Sequence, residues 1–336
     1  GTGASAVQFV PAIAEQVGQL QLYQRSPPWV VPRPDPVIPV PLRRLFAKVP
    51  VTRLLFRKIA FGVAELLGLG ISGYTPLHKL LERAARGDIR KNIRDPVLAV
   101  ELTPTYPLGC KRVLLSPNYY SALARSNVEV VTDGIDEIVP GGIRTADGIE
   151  RPVDVIVYAT GFRITDAFDG LDIRGTGGES LVRRWDTEGI KAHLGTTIAG
   201  MPNMFLLLGP NSGIVYTSLV FVIEQQIKHV LRAMDIVKQR GAASIGVRHE
   251  AQDAYTEMIR RWSAKKVWAQ GACTNWFLDD GVNVALWPGY SWQYWRLASR
   301  VDEAAFVIAG QDAAGERDVQ LAPNHELPMP QRSSLN

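Results

Sequence analysis

The apolar positions of this chain change period several times, and each change predicts an element. After the opening "GTGASA", Val7, Val10, Ile13, Ala14 and Val17 recur at helical spacing. "LQLYQRS" then alternates apolar and polar residues as a half-buried strand does. Turn, helix and strand make most of a βαβ unit, lacking the strand that would lead into the turn. The proline-rich "PPWVVPRPDPVIPVP" predicts a connector that ends the strand, because each proline removes a ladder donor and fixes φ. From Leu42 to Leu81 the period is helical again, with "PLRRLFAKVPVTRLLFRKIAFGVAELLGLG" mixing Leu, Phe and Ile with Arg and Lys. Farther on, "NVEVVTDGIDEIVPGGIRTADGIE" breaks short β-branched runs at "DG", "PGG" and "ADG", which predicts consecutive antiparallel hairpins. The nearly continuous apolar run "VDVIVYATG" predicts a buried, central strand. "NMFLLLGPNSG" repeats that logic, a strand breaking into a Gly-Pro-Asn turn, before a helix through "SLVFVIEQQIKHVLRAMDIVKQRG". Residues 310–336 are polar with scattered proline and predict a tail without a core.

Composition narrows the class. With 336 residues, 46% of them hydrophobic, the chain can bury a large core in two domains or one large one. No apolar run reaches about eighteen residues, and no charged segment leading into a shorter apolar one opens the chain. Neither a membrane span nor a signal peptide is predicted, and the expected location is the cytoplasm. Cys110 and Cys273 lie far apart without a C-x-x-C, so both are expected as free thiols in a reducing compartment. The net charge of +4 is spread along the chain, which gives no support to a nucleic-acid partner. His78, His193, His229, His249 and His325 show no ligand spacing, so no metal is expected. The basic helices are of a kind that can touch an anionic membrane peripherally. Charges solvating one face of an ordinary surface helix are the expected reading.

The candidate chemistry begins with residues Gly1, Thr2, Gly3, Ala4, Ser5 and Ala6, which fit G-x-G-x-x-[GA]. In such a turn the first glycine permits the sharp bend, the second admits a pyrophosphate to the backbone, and the third small residue keeps helix and strand close. About twenty residues later, where an acidic residue would hold the ribose of NAD, the chain has Arg25 and Ser26. An arginine there suits a 2′-phosphate and predicts NADP.

Together with "YQRSPPWVVPR", "YPLGCKRVLLSPNYY", "NVEVV", "VIVYATGF", "PNMFLLLGPNSG" and "TNWF", the opening turn resembles the flavin-containing monooxygenase superfamily, and within it the Baeyer–Villiger monooxygenases. The resemblance runs from Gly1 to about Arg296, and "QRSPPW" followed by "GCKR" is its most specific part. It implies an α/β, Rossmann-like flavoprotein with two dinucleotide-binding domains, one for FAD and one for NADPH. Residues 1–160 would form the NADPH domain, with a helical insertion over about 42–95 and hairpins over about 128–158. Residues 161–309 would belong to the FAD domain. The first FAD-binding glycine motif has no counterpart in the chain, which is expected to be an N-terminally truncated form with an FAD-binding segment preceding Gly1.

The resemblance also implies roles. Arg25, Ser26 and Lys111 would hold the adenosine 2′-phosphate, and Arg112 would be the catalytic arginine beside flavin and nicotinamide. Ala159, Thr160 and Gly161 would carry the chain back to the FAD domain. Gly209, Pro210 and Asn211 would form a further FAD contact, and Trp276 would lie near NADPH. The implied reaction inserts one oxygen atom of O₂ beside the carbonyl of a hydrophobic ketone by way of a C4a-peroxyflavin, giving an ester or lactone. Tyr216, Trp276 and Trp287 are expected to line the ketone site. Two alternatives stay open: a flavin N- or S-oxygenase, and a nucleotide-binding remnant without catalysis.

Overall fold

The computed structural model describes residues 1–33, 37–73, 75–162, 168, 170–271 and 273–310. The predicted tail over 311–336 lies outside them. The first part of the chain runs α1 (Ala4–Ile13), β1 (Leu20–Tyr23), β2 (Val30–Val31), α2 (Val40–Lys48), α3 (Pro50–Ser72), α4 (Pro76–Asn92), α5 (Pro96–Glu101), β3 (Leu114–Leu115), α6 (Tyr119–Leu123) and β4 (Val128–Val131). β1 pairs with β4 and β2 with β3, both in parallel. One core gathers Ala6, Val7 and Val10 of α1, Leu20 and Leu22 of β1, Trp29, Ile89 of α4 and the Tyr119–Leu123 helix. The α1 periodicity stops at Ile13, four residues before Val17, which is exposed. Trp29 anchors the following segment, its Nε1 donating to Tyr106 O at 3.0 Å while Tyr106 OH donates back to Pro27 O at 2.7 Å.

β5 (Ile135–Val139), β6 (Gly142–Thr145) and β7 (Glu150–Pro152) form an antiparallel meander, as the "PGG" and "ADG" turns predict. The remaining elements are α7 (Leu181–Glu188), α8 (Leu219–Gln239), β8 (Ala242–Val247), α9 (His249–Ser263), α10 (Val267–Gln270), β9 (Leu278–Asp279), β10 (Val282–Asn283), α11 (Ser291–Ala298) and β11 (Phe306–Gly310). Ser218 caps α8, its Oγ accepting from Val220 N at 3.2 Å. α8 and α11 close over Val222, Tyr255, Trp287 and Tyr294, with β8 and β11 pairing antiparallel beside them.

Four expectations are corrected. "VDVIVYATG" is not a central strand: residues 153–160 form no strand, and Val155, Val157 and Tyr158 are exposed. "NMFLLLG" is no strand either, and Leu207 and Leu208 are exposed. An apolar run becomes a buried strand only with neighbours to take its backbone groups, and neither run has a paired strand among the described residues. The proline-rich connector holds a short strand, β2, because Val30 and Val31 lie between its prolines and can pair with β3. The fourth correction concerns the cysteines: Cys110 and Cys273, expected as free thiols, form a disulfide with Cα atoms 6.2 Å apart. Sequence separation cannot reveal such proximity, and the cytoplasmic expectation loses the support that unpaired cysteines lent it.

Burial also sets a pH dependence. The His193 ring meets Tyr255 and Phe306 edge-on at 5.2 and 6.1 Å, and its Nδ1 has no hydrogen-bond partner among the described residues. Burial, then the charge of His229, pulls its pKa down to about 4. The folded value lies below the unfolded one, so its contribution is complete above about pH 6.5 and is lost as pH falls towards the folded value. The unfolding free energy from urea melts should hold above pH 6.5 and then fall, by about 3 kcal/mol for this group. His193→Phe should remove that part of the slope.

Candidate functional site

The glycine turn is built by close approach. A Cβ on Gly1 would lie 1.8 Å from Ala159 O, so only glycine fits against the segment that carries Ala159, Thr160 and Gly161. The Gly1 nitrogen donates to Tyr23 O at 3.2 Å and Thr2 Oγ1 to Ser26 O at 3.5 Å, which ties the turn to the end of β1. Gly3 is the N-cap of α1, and a Cβ there would meet nothing within 4 Å. The first helical bond is Val7 N to Gly3 O at 3.0 Å, so the N–H groups of Ala4, Ser5 and Ala6 face out of the helix end. Ala6 itself is buried in the core, while Gly3, Ala4 and Ser5 are exposed. The result is an open helix N-terminus with positive polarity.

Beside this turn the structure gathers cations from two distant stretches. Lys111 Nζ donates to Ser26 Oγ at 2.8 Å and sits 4.8 Å from the centre of the Tyr106 ring. Burial, and then the charge of Arg25, lowers the Lys111 pKa. Arg25 is exposed at the rim. The Arg25 charge thus disfavours the charged form of Lys111, and a bound dianion would relieve that.

The disulfide leads from this corner to a second segment. Cys110 is fully buried, its carbonyl accepts from Asn275 Nδ2 at 3.2 Å, and the same amide donates to Trp268 O at 3.1 Å. "GCKR" and "TNWF" are thereby stitched together although 163 residues separate the two cysteines. Trp276 is half exposed and packs edge-on against Phe277 at 4.5 Å. Arg112 follows Lys111 on the exposed side and has no hydrogen-bond or ion-pair partner among the described residues.

Gly209, Pro210 and Asn211 form a separate, rigid turn. A Cβ on Gly209 would lie 2.6 Å from Gly195 O, and Asn211 adopts a left-handed φ of 56°. Asn211 Nδ2 donates to Asn283 O at 2.7 Å, and Ser212 Oγ to Gly209 O at 2.6 Å. Gln226 of α8 bridges from below, Nε2 donating to Gly195 O at 3.0 Å and Oε1 accepting from Leu208 N at 2.9 Å. No hydrogen bond among the described residues joins this turn to the Gly1–Lys111 corner. Tyr216 and Trp287 share one core cluster, but Trp287 is buried with its Nε1 donating to Tyr290 O at 2.9 Å, and Trp276, half exposed, packs on Phe277 of another cluster. The expected ketone lining therefore does not assemble as a set.

Sequence reasoning missed Gln226, Asn275 and Asn283, the amides that lock these loops. The readable signal was a polar residue breaking an apolar stretch: Gln225 and Gln226 inside the apolar face of α8, and Asn275 one place before the tryptophan that drew attention.

No family model matches the chain. It is 41% identical over 310 residues to a Baeyer-Villiger monooxygenase of Pseudomonas aeruginosa, covering 92% of this chain and 59% of that protein. It is 36% identical over 312 residues to a Baeyer-Villiger monooxygenase of Streptomyces coelicolor, covering 92% and 60%. The chain thus spans about three fifths of the length of these relatives. Among solved structures it superposes on an oxidized steroid monooxygenase bound to NADP with a TM-score of 0.78 at 28% identity, covering 92% of this chain and 66% of that one. A complex of OTEMO with FAD and NADP matches with a TM-score of 0.78 at 27% identity, covering 92% and 65%.

Proposed function

The chain belongs to the Baeyer–Villiger monooxygenase family of flavoproteins, and from that premise we propose that it carries the NADPH site and the arginine of an FAD-dependent ketone monooxygenase. The observation that carries this reading is the corner formed by Gly1–Ala6, Arg25, Ser26 and Lys111, where an open helix end and two mutually repelling cations face the same space. These residues fit a dinucleotide with a 2′-phosphate. Gly1 to Ala6 would receive the pyrophosphate on backbone N–H groups, and Arg25, Ser26 and Lys111 the 2′-phosphate. Gly209, Pro210 and Asn211 fit a wall against the flavin better than a set of free donors, since the Asn211 amide is already committed to Asn283 O.

The bound cofactors supply hydride transfer and the activation of O₂, so that ketone, O₂, NADPH and a proton become ester or lactone, NADP⁺ and water. The protein's part is to hold NADPH by its phosphates, to keep Ala159, Thr160 and Gly161 out of the way of the cofactor, and to place the Arg112 guanidinium where the ketone oxygen gains negative charge. Trp276, fixed by Asn275 and Phe277, would bound the NADPH side of that space. A hydrophobic ketone remains the proposed substrate, with Tyr216 at its edge and Trp287 withdrawn from the lining.

Two measurements test this reading. The full-length protein supplied with FAD, NADPH and O₂ should convert members of a broad ketone panel to esters or lactones. NADPH consumption without any such product would remove the assignment. Within the site, Arg25→Ala and Lys111→Ala should each raise KM for NADPH by about 10- to 100-fold, because each removes one charge-assisted contact to phosphate. KM for NADH, which lacks that phosphate, should change by less than about threefold; equal losses for both nucleotides would place the two cations elsewhere.

A further inference from the structure

We propose that α2 and α3 as far as Leu66 form a docking surface for an anionic phospholipid bilayer, lying in the plane of its interface. The observation is a helical pair whose apolar side faces outward. Along α3, Val51, Leu55, Ile59 and Leu66 fall within a sector of about 80° at 100° per residue. They are 65%, 58%, 58% and 57% exposed, respectively. Val63, on the same side, and Val40 and Leu45 of α2 are exposed as well. α3 meets the body of the protein through its other side. Phe61 packs on Phe221 with ring centres 4.9 Å apart, Glu65 accepts from Ser291 N at 3.0 Å, and Gly68 lies against Tyr216. Among the described residues nothing covers this stripe, which is larger than the scattered apolar residues an ordinary surface shows.

Charge selects the occupant. Residues 37–64 contain Arg43, Arg44, Lys48, Arg53, Arg57 and Lys58 and no acidic residue. Arg57 alone is ion-paired, to Glu224 at 2.6 Å, and the other five form no ion pair among the described residues. A second copy of the chain would bring six more cations to the same patch, which repels. An anionic lipid surface takes both features at once, the apolar stripe entering the acyl boundary and the cations resting on the headgroups. No helix among the described residues is long and apolar enough to cross a membrane, so the contact is peripheral.

The test uses the purified full-length protein with its cofactors and flotation with vesicles of phosphatidylcholine alone or mixed with phosphatidylglycerol. Binding to the mixed vesicles is expected, weakened by salt, with little binding to phosphatidylcholine alone. The Leu55→Glu/Ile59→Glu and Arg44→Glu/Lys48→Glu variants should each bind mixed vesicles at least about tenfold more weakly. Both should keep the melting behaviour and NADPH oxidation of the parent, since none of these residues contacts the nucleotide corner. Absent flotation, flotation of either variant equal to that of the parent, or a self-association that Leu55→Glu/Ile59→Glu abolishes without any vesicle binding would each overturn the proposal.

Discussion

Breaking the Cys110–Cys273 disulfide is expected to cost about 5 kcal/mol of stability, from the loop-closure entropy of so long a loop. The two cysteines are 163 residues apart, so the bond removes a large fraction of the conformations open to the unfolded chain. Cys110 is fully buried, and a Cβ on Gly271 would lie 2.4 Å from its sulfur, so the surroundings are packed around the bonded pair. Urea denaturation with and without reductant measures the effect while leaving every side chain in place. The reduced protein should unfold at a lower midpoint, and a Cys110→Ala/Cys273→Ala variant should be indifferent to reductant. Coincident curves for the oxidised and reduced wild type would show that the bond contributes nothing. A functional consequence accompanies the loss, because the bond joins the segment that carries Lys111 and Arg112 to the one that carries Asn275 and Trp276. Reduction should raise KM for NADPH before it unfolds the protein.

That bond marks the limit of what periodicity could convey. Local order was legible wherever one segment carries its own pattern. The long helices α3 and α8 follow the 3.6-residue period, and the β5–β7 meander follows its glycine turns. The residues of the Gly1–Lys111 corner were singled out by local features, the glycine spacing and the Arg25 offset, and the structure brings Thr2, Ser26 and Lys111 together there. What could not be read was set by distant partners. "VDVIVYATG" and "NMFLLLG" have strand composition, but pairing decides whether they become strands. The same holds for the cysteines and for Asn275, whose roles exist only because residues near 110 and 270 meet. The outward face of α3 was hidden in another way: its pattern announces an amphipathic helix without saying which side the body of the protein takes.

Arg112→Ala is expected to lower ketone oxidation by about 10²- to 10³-fold in kcat, the usual effect of removing one preorganised donor aimed at developing negative charge. Arg112 differs from its neighbour in a way that makes the experiment clean. Lys111 is tied to Ser26 and packed over Tyr106, whereas Arg112 is exposed and without a partner among the described residues. Its removal leaves no buried group unsatisfied, so the unfolding free energy should match that of the parent within about 0.5 kcal/mol. NADPH binding should change little, because the phosphate contacts are assigned to Arg25, Ser26 and Lys111. A fall in kcat with unchanged stability and near-unchanged KM for NADPH therefore reports a contact made in the transition state. Sulfide oxidation by the same variant divides the two oxygenase readings. Oxygen transfer to sulfur does not build an oxyanion from a carbonyl, so it should survive where ketone oxidation does not. If both reactions fall together, Arg112 serves the cofactor rather than the ketone. If neither falls, the charge that stabilises the ketone oxygen comes from another residue.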